Sequence, residues 1–249
     1  MTGADGRSAL SLGVVWYRVP NEGGNDGKNL SYLDTPPKNR DRERFRECDE
    51  QLYDTLFDIV YDGFYPDLQR KRRNVQAIQE AAIFPPGTAF YPDRLTFDRM
   101  PPIGPAAREA RLTRRRKWVD EAVDKTGSCH VVFLDPDNGL EIPSTQRHHK
   151  RGPKYVFYDE IARFLERGRS VVIYQHMPRE SPDVYVRWRV KKLREKVEIR
   201  GALWAVLWHP YSPRVYFIIP NGREAVLRPR IKAMLKGPWG QHFEPIIFS

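Results

Sequence analysis

Two carboxylates and an amide follow a short apolar run near the middle of the chain. Asp135, Asp137 and Asn138 come directly after residues 131–134, which read Val-Val-Phe-Leu. Such an unbroken run with β-branched residues is typical of a strand buried on both faces of a sheet. In an open α/β sheet the ligand crevice lies beyond the carboxyl ends of the strands. Asp-Pro-Asp-Asn-Gly is also a good turn sequence, so an ordinary turn is the alternative interpretation.

Three other predicted strands also end in polar clusters. The clusters follow residues 12–19, 170–174 and 202–208, and they contain Glu22, Asn25 and Asp26, then His176 and Arg179, then His209, Tyr211 and Arg214. If these strands are parallel, all four clusters lie at one edge of the sheet. This convergence predicts a catalytic set made of Asp26, Asp135, Asp137, Asn138 and His176.

The loop after the first strand is rich in glycine and asparagine, but its spacing does not match a dinucleotide-binding or phosphate-binding motif. Its acids Glu22 and Asp26 would also repel phosphate. We therefore predict no cofactor. An ordinary polar loop is the alternative for this segment.

The predicted set suits hydrolysis of an N-glycosidic bond. A carboxylate can orient water and stabilise an oxocarbenium-like sugar while the bond breaks. An amide can read a base edge, and a histidine or another cation can stabilise the departing base. Aromatic side chains can stack on an extruded base. The expected substrate contacts are Trp16, Tyr17, Glu22, Asn25, His209 and Tyr211.

The chain is strongly basic. Its 249 residues include 42 Lys and Arg against 32 Asp and Glu, which gives a formal net charge of +10 and a pI of about 9.6. Phosphate neutralisation releases counterions, so such a surface favours nucleic acid as partner. A basic enzyme with no such partner is the alternative.

Positive charge is concentrated in a few segments. A run of arginines on a predicted helix with few acids beside it is not explained by pairing within the helix, although a solvated face is the simpler alternative. The expected nucleic-acid contacts are Arg114, Arg115, Arg116, Lys117, Arg147, Lys150, Arg151, Arg179 and Arg214. His148 and His149 are adjacent in a basic loop, where histidines more often add charge than bind metal, so no metal site is predicted.

Strand and helix patterns alternate along residues 1–249. This alternation predicts a single α/β domain, with a doubly wound, mostly parallel sheet flanked by helices. The predicted helices are Phe45–Val60, Asp67–Ala82, Ala106–Asp124, a segment from near Asp159 to Arg167, and Arg223–Leu235, which Pro229 should break. Residues 184–197 fit both a helix and a strand, and the tail after residue 235 is apolar. Helical spacing also predicts which side chains face the core. The predicted inward residues are Trp118, Val119, Ala122 and Val123 in one helix and Ile161, Phe164 and Leu165 in the next, which Gly168 should end. The predicted outer face of residues 184–197 carries Arg187, Arg189, Lys191, Lys192 and Arg194. Residues 1–11 are predicted to be a flexible start, and 83–105 a proline-rich ordered loop with a short strand at 88–91.

The remaining features indicate a soluble cytoplasmic protein. Cys48 and Cys129 lack metal-type spacing, which favours a reducing compartment and no structural zinc. No apolar stretch reaches transmembrane length, and the start has no apolar signal core. No membrane partner is expected.

The order of strand ends resembles the uracil-DNA-glycosylase superfamily. Residues 131–138 look like the strand that carries an asparagine in that superfamily, and His209-Pro210-Tyr211-Ser212-Pro213 resembles its His-Pro motif with one residue inserted. The loop from Asn21 to Asp26 departs from the superfamily's Gln-Asp-Pro-Tyr. The resemblance implies a base-flipping DNA glycosylase, and it suggests a defence enzyme that removes modified cytosines from phage DNA. The partner that it implies is double-stranded DNA with modified bases.

A second resemblance is to class I methyltransferases that act on nucleic acid. Asp135-Pro136-Asp137-Asn138 is similar to their Asp-Pro-Pro-Tyr motif, and residues 202–208 and 215–219 resemble their terminal antiparallel hairpin. The glycine-rich motif that binds the methyl donor is missing after the first strand. A nucleic-acid-binding module without catalysis is a third class, which explains the charge but not the convergent acids.

Overall fold

A seven-stranded sheet forms the centre of the molecule. The computed structural model describes residues 10–19, 31–33, 42–61, 75–81, 83–101 and 103–248. In spatial order the strands are β2 (Ala89–Tyr91), β1 (Leu12–Trp16), β3 (Val131–Asp135), β6 (Ser170–His176), β8 (Arg214–Ile219), β7 (Trp204–Trp208) and β9 (Phe243–Ile247). Two further short strands, β4 (Gly139–Leu140) and β5 (Tyr155–Val156), pair with each other beside this sheet.

The strand directions confirm the predicted mostly parallel sheet. Strands β2, β1, β3 and β6 are parallel neighbours. Strand β8 runs antiparallel to both β6 and β7, so β7 has the same direction as the first four strands. Only β8 and β9 are reversed among the seven. The carboxyl ends of β1, β3, β6 and β7 therefore lie at one edge.

Helices cover both faces of the sheet. They are α1 (Arg42–Arg46), α2 (Glu50–Tyr61), α3 (Val75–Glu80), α4 (Pro105–Lys125), α5 (Tyr158–Glu166), α6 (Pro182–Lys196) and α7 (Glu224–Lys236). One face packs against α4, α5 and α6, and the other against α7, while α1 and α2 form a smaller apolar cluster that Trp208 joins. This is the doubly wound arrangement that the alternating pattern predicted.

Helical periodicity correctly predicted the core faces. In α4 the inward side chains Trp118, Val119, Ala122 and Val123 are all buried. Helix α5 buries Ile161, Phe164 and Leu165, and the glycine after its end, Gly168, has φ +73°, as expected for a residue that ends a helix in the left-handed conformation. The short strand predicted within the proline-rich loop is β2.

One expectation was wrong, one alternative is resolved, and one strand was not predicted. Pro229 does not break α7, because burial of Leu227 and Ile231 on either side offsets the lost backbone donor. Of the two alternatives for residues 184–197, the structure shows the helix, α6. The apolar tail contains an edge strand, β9, whose Pro245 is tolerated where one side of the strand has no neighbour among the described residues.

Part of the second predicted helix is described only as α3, because residues 62–74 lie outside the described ranges. Within those ranges, none of the helices combines the length and the apolar character needed to cross a lipid bilayer.

Candidate active site

Asp135 is the last residue of β3 and faces the α7 side of the sheet. Val131 and Phe133 of the same strand contact the α7 cluster, so side-chain alternation places Asp135 on this face too. The residue is partly buried, and its carboxyl group makes no hydrogen bond or ion pair with the described residues. Burial, and to a smaller extent the nearby Asp137 carboxylate, raise the pKa of Asp135 to about 7. A carboxyl group poised near neutrality is suited to accepting and returning a proton.

Trp16 lies beside this carboxyl group. It is the register partner of Asp135 across the β1–β3 pair, and it is 8% exposed. Its indole Nε1 is buried and has no hydrogen-bond partner within the described ranges. Buried polar groups without a hydrogen-bond partner are uncommon in protein interiors, and here an acceptor and a donor lie on neighbouring strands. Such groups are expected where a ligand or a water molecule supplies the missing hydrogen bonds.

Two tyrosines continue the same face of the sheet. Tyr174 of β6 and Tyr216 of β8 are opposite each other in register, with ring centroids 6.2 Å apart. Burial raises the pKa of Tyr174 to about 12, although Arg214 acts against this shift. Burial also raises the pKa of Tyr216, and Tyr174 and Asp135 add to that shift. Both hydroxyl groups are therefore protonated donors close to Asp135.

These tyrosines form one wall of an aromatic cavity of about 450 Å³. This volume is within the usual range for small-ligand sites. The cavity is lined by Tyr32, Phe45, Asp49, Leu52, Tyr53, Leu56, Tyr174, Trp208, Pro210, Tyr211, Ser212, Arg214, Tyr216, Trp239 and Phe243. Its walls come from α1 and α2 on one side and from the β7–β8 hairpin on the other. A flat aromatic ligand, such as a nucleobase, matches this lining.

Tyr211 stands at the rim of the cavity in a strained backbone conformation. Its φ is +58°, in the left-handed region that a bulky residue rarely adopts. The side chain is 49% exposed and stacks on Phe45, with ring centroids 5.8 Å apart and an interplanar angle of 26°. An exposed ring held on a strained turn is well placed to cover a bound base.

Arg214 supplies a cation at the same rim. Its guanidinium lies 5.8 Å from the centre of the Tyr174 ring and donates to the Ser212 carbonyl over 2.6 Å. It forms no ion pair with any described acid. The charge is therefore held in position by its own turn and is available to an anionic group.

Asp137 and Asn138 occupy the loop after Asp135. Lys154 Nζ lies 3.0 Å from Asp137 Oδ2. The Asn138 N–H donates to the Lys154 carbonyl over 2.9 Å, while its side-chain amide has no partner within the described ranges. The loop therefore exposes an amide and a paired carboxylate beside Asp135.

The side chain of Gln175 holds this loop in place through two hydrogen bonds. Its Oε1 accepts from the Leu140 N–H over 2.9 Å, and its Nε2 donates to the Asn138 carbonyl over 3.0 Å. The side chain is 2% exposed. The close approach requires glycine at 139, where φ is +105° and an added Cβ would lie 2.5 Å from the Gln175 amide.

We expect Gly139→Ala to lower the free energy of unfolding by roughly 1–3 kcal/mol or more, because left-handed strain and a buried clash add. Denaturant unfolding measures the loss. Gly87→Ala is the matched control, since Gly87 also has a positive φ, +77°, but has no heavy atom within 4 Å of an added Cβ. Equal losses in the two variants would contradict the clash with Gln175.

Asp135 should also make stability depend on pH. Its folded pKa of about 7 lies above the ordinary value of 3.8, so the folded state favours the protonated acid. The stability that protonated Asp135 contributes is therefore fully present below about pH 4 and is lost as the pH rises to about 7. Relative to the wild type, Asp135→Asn should gain up to ~4 kcal/mol of stability between these limits. A pH-independent difference between the two proteins would contradict the raised pKa.

The structure brings some predicted residues together and separates others. Asp135, Asp137, Asn138, His176, Trp16, Tyr211 and Arg214 lie at the carboxyl edge or at the cavity rim. His176 is exposed at the end of β6, in register with Arg214. Glu22, Asn25 and Asp26 lie outside the described residues.

Two predicted substrate contacts point elsewhere. Tyr17 is 3% exposed and packs against Trp118 on the opposite face from Asp135, with ring centroids 4.8 Å apart. His209 follows β7 and pairs with Glu244 of the edge strand, Nε2 to Oε2 over 2.8 Å. Alternation explains both positions, because Tyr17 follows Trp16 and His209 follows Trp208, and these two tryptophans are on the Asp135 face of the sheet.

The predicted phosphate contact Arg115 is corrected. It is 1% exposed, its Nη2 donates to Glu160 Oε2 over 2.9 Å, and it also donates to the carbonyls of Gly152 and Tyr155. Arg189, which the charge pattern put on the outer face of α6, is 3% exposed and donates to the Glu141 carbonyl. Both guanidinium groups are buried and form hydrogen bonds within the protein, so they cannot serve as surface phosphate contacts.

The other predicted cations lie at or near the surface. Arg116, Lys117, Lys150, Arg151 and Arg179 are exposed, while Arg114 and Arg147 are partly buried. Arg114 donates to the Arg94 carbonyl over 3.1 Å, and Arg147 pairs with Asp159. His148 and His149 stack edge to face, and the described part of the chain contains no group of three His, Cys, Asp or Glu side chains arranged to hold a metal ion.

Sequence reasoning missed most of the aromatic cavity. Tyr174 and Tyr216 sit at alternating positions of otherwise apolar strands, and a tyrosine in such a strand needs somewhere to place its hydroxyl group. A tyrosine within an apolar strand is therefore a sequence signal that could have identified both residues. The contributions of Phe45, Tyr53 and Trp208 depend on contacts between distant segments.

No protein-family model matches this chain, and no curated protein matches it.

Proposed function

We propose that the protein hydrolyses the N-glycosidic bond of a base extruded from DNA and leaves an abasic site. The observation that carries the proposal is Asp135: a carboxyl group with no bonding partner in the described part of the chain, a pKa near 7, and a base-sized aromatic cavity beside it. Aromatic walls can hold any flat base, while the acid can act on the bond next to it.

The proposed reaction assigns a role to each group. Asp135 accepts a proton from a water molecule as the water oxygen bonds to C1′ of the sugar. The bond between C1′ and the base nitrogen breaks, and its electron pair leaves with the base. Asp135 also stabilises the positive charge on the sugar. Arg214 and the hydroxyl groups of Tyr174 and Tyr216 stabilise the negative charge on the departing base.

DNA with modified bases is the proposed substrate. The net charge of +10 favours a polyanion, and Arg214 at the cavity rim has no acidic partner among the described residues. The resemblance to glycosylases extends this proposal to modified cytosines and to a role in defence against phage. A cavity of about 450 Å³ leaves room for a base that carries an additional group.

The second candidate is methyl transfer to nucleic acid. One observation favours it: the antiparallel β8 is inserted between β6 and β7, which is the terminal hairpin that the methyltransferase resemblance implied. The same aromatic cavity would then hold the base to be methylated. The missing glycine-rich donor motif argues against this candidate, and similar folds support different chemistries.

Two parallel assays on the same DNA separate these functions. Unmodified DNA and phage-derived DNA with modified cytosines are incubated with the protein, and abasic sites are counted by aldehyde-reactive labelling. Labelled methyl transfer from S-adenosylmethionine is measured alongside. Abasic sites confined to the modified DNA would support hydrolysis. Transferred label would support the second candidate, and DNA binding with neither product would support a module without catalysis.

A further inference from the structure

A second cavity lies on the opposite side of the sheet from Asp135. It has a volume of about 730 Å³ and runs between the first half of α4, the loop after β4, the start of α5 and one side of α6. We call it the α4–α6 groove, and its lining includes Arg108, Glu141, Asp159, Trp188, Arg189 and Lys196. The proposed base-hydrolysis reaction uses none of these side chains.

Trp188 is an exposed ring in this groove. It is 41% exposed, although a tryptophan is one of the residues that gains most from burial. The Arg189 guanidinium lies 4.8 Å from its ring centre, and Tyr185 lies beside it at 6.2 Å between centroids. Arg189 is itself buried and bound to Tyr185 and to the Glu141 carbonyl. The indole is therefore supported by a rigid neighbour and presents its remaining surface to the groove.

The lining of the groove carries a positive charge. Its cations are Arg108, Arg147, Arg189, Lys192 and Lys196, and its two acids are Glu141 and Asp159. Asp159 pairs with Arg147, Glu141 accepts from the Tyr158 N–H over 2.9 Å, and Lys192 pairs with Glu195 over 2.7 Å. The side chains of Arg108 and Lys196 form no hydrogen bond or ion pair with a described residue. Burial lowers the pKa of His148, as do nearby cations, so this side chain is neutral at pH 7.

A neighbouring cavity extends the positive surface along α4. It has a volume of about 800 Å³ and shares Arg108, Leu112 and His148 with the α4–α6 groove. It adds two cations, Arg111 and Lys150, and one acid, Glu109, and its lining includes Ile103, which is 88% exposed. The two cavities together form a continuous basic track that starts at Trp188 and passes Arg108.

We infer that the α4–α6 groove binds a single-stranded segment of nucleic acid, with one unpaired base stacked on Trp188 and the backbone following Arg108 and Lys196. Base stacking on an exposed aromatic ring within a positive groove is the usual way to hold a single strand without reading its sequence. A duplex does not fit this role, because the faces of its bases are covered by their neighbours. The inference rests on the proposed function only for the choice of nucleic acid as the polymer.

The test is binding of a fluorescein-labelled oligothymidylate, followed by fluorescence anisotropy. Trp188→Ala should weaken binding roughly 10-fold, the effect expected for one stacked base, and Trp188→Phe should restore most of the affinity. The Lys196→Glu variant should also bind more weakly and show a shallower salt dependence. Lys191→Glu is the matched control, because Lys191 is on the same helix with its side chain 74% exposed, but it does not line the groove.

Unchanged affinity in Trp188→Ala, or equal losses in Lys196→Glu and Lys191→Glu, would overturn the inference. A labelled duplex of the same length gives the second comparison: the Trp188→Ala loss should be confined to the single strand. If no base release occurs while these variants behave as expected, the groove binds single strands but the protein does not catalyse the proposed reaction. If base release occurs and Trp188→Ala binds normally, the reaction is supported and the proposed role of the groove is wrong.

Discussion

Replacing Asp135 with asparagine is expected to lower the rate constant for base release by about 10²–10⁴-fold, the usual contribution of a positioned proton acceptor. The asparagine has nearly the same shape, but its amide cannot take a proton from water or stabilise a cationic sugar. Single-turnover release of modified base from phage-derived DNA, at saturating protein, measures the chemical step without a contribution from affinity. The dissociation constant for the DNA should change little, and an unchanged rate constant would contradict the assignment.

Asp137→Asn provides the control for this experiment because it changes the electrostatics and leaves Asp135 in place. Removing the Asp137 carboxylate removes one of the two causes that raise the pKa of Asp135, and it also frees Lys154 from its ion pair. Both effects lower that pKa. The rate should therefore rise with pH through about pH 7 in the wild type and at a lower pH in Asp137→Asn. Coincident pH profiles would show that the titrating group is not Asp135.

Glu160→Gln is expected to cost about 3–5 kcal/mol of the free energy of unfolding, which is the largest loss of stability that the structure predicts. Glu160 is 4% exposed and accepts two hydrogen bonds from Arg115, at 2.5 and 2.9 Å. The glutamine would leave the guanidinium charged and buried without a counter-charge. Arg115 also holds the carbonyls of Gly152 and Tyr155, so the loop below the α4–α6 groove should loosen as well. Denaturant unfolding and amide hydrogen exchange measure the two effects.

The exposed pair between Arg187 and Asp183 gives the matched comparison. Their side chains are 62% and 55% exposed, and Asp183→Asn should cost less than about 1 kcal/mol because water screens the pair. Losses of similar size in Asp183→Asn and Glu160→Gln would contradict the account of a buried, uncompensated charge.

The elements of the sheet could be predicted because their signals are local. The apolar run before Asp135 and the inward spacing of Trp118 to Val123 are readable within a few residues, and β3 and α4 confirm both predictions. The convergence of strand ends followed from the parallel order. The role of Asp26 stays a prediction, because its loop lies outside the described residues.

The wrong prediction for Arg115 and the missed aromatic cavity both concern contacts between distant segments. The run from Arg114 to Lys117 reads as one cationic face, yet Arg115 turns inward because Glu160, 45 positions later, lies where it can pair with it. The aromatic cavity depends on α1, α2 and the β7–β8 hairpin meeting in space. Local periodicity carries no information on either contact, because each requires the register of the whole sheet and the packing of its helices.

In the proposed reaction an extruded base occupies the aromatic cavity beside Asp135. A crystal structure of the Asp135→Asn protein bound to duplex DNA with one modified cytosine tests this position directly, because the variant is expected to bind the substrate and to hydrolyse it only slowly. We expect the base between Tyr211 and the wall formed by Tyr174 and Tyr216, with its sugar next to residue 135. A base that remains stacked in the duplex, or that lies outside this cavity, would show that Asp135 does not act on an extruded base at this site.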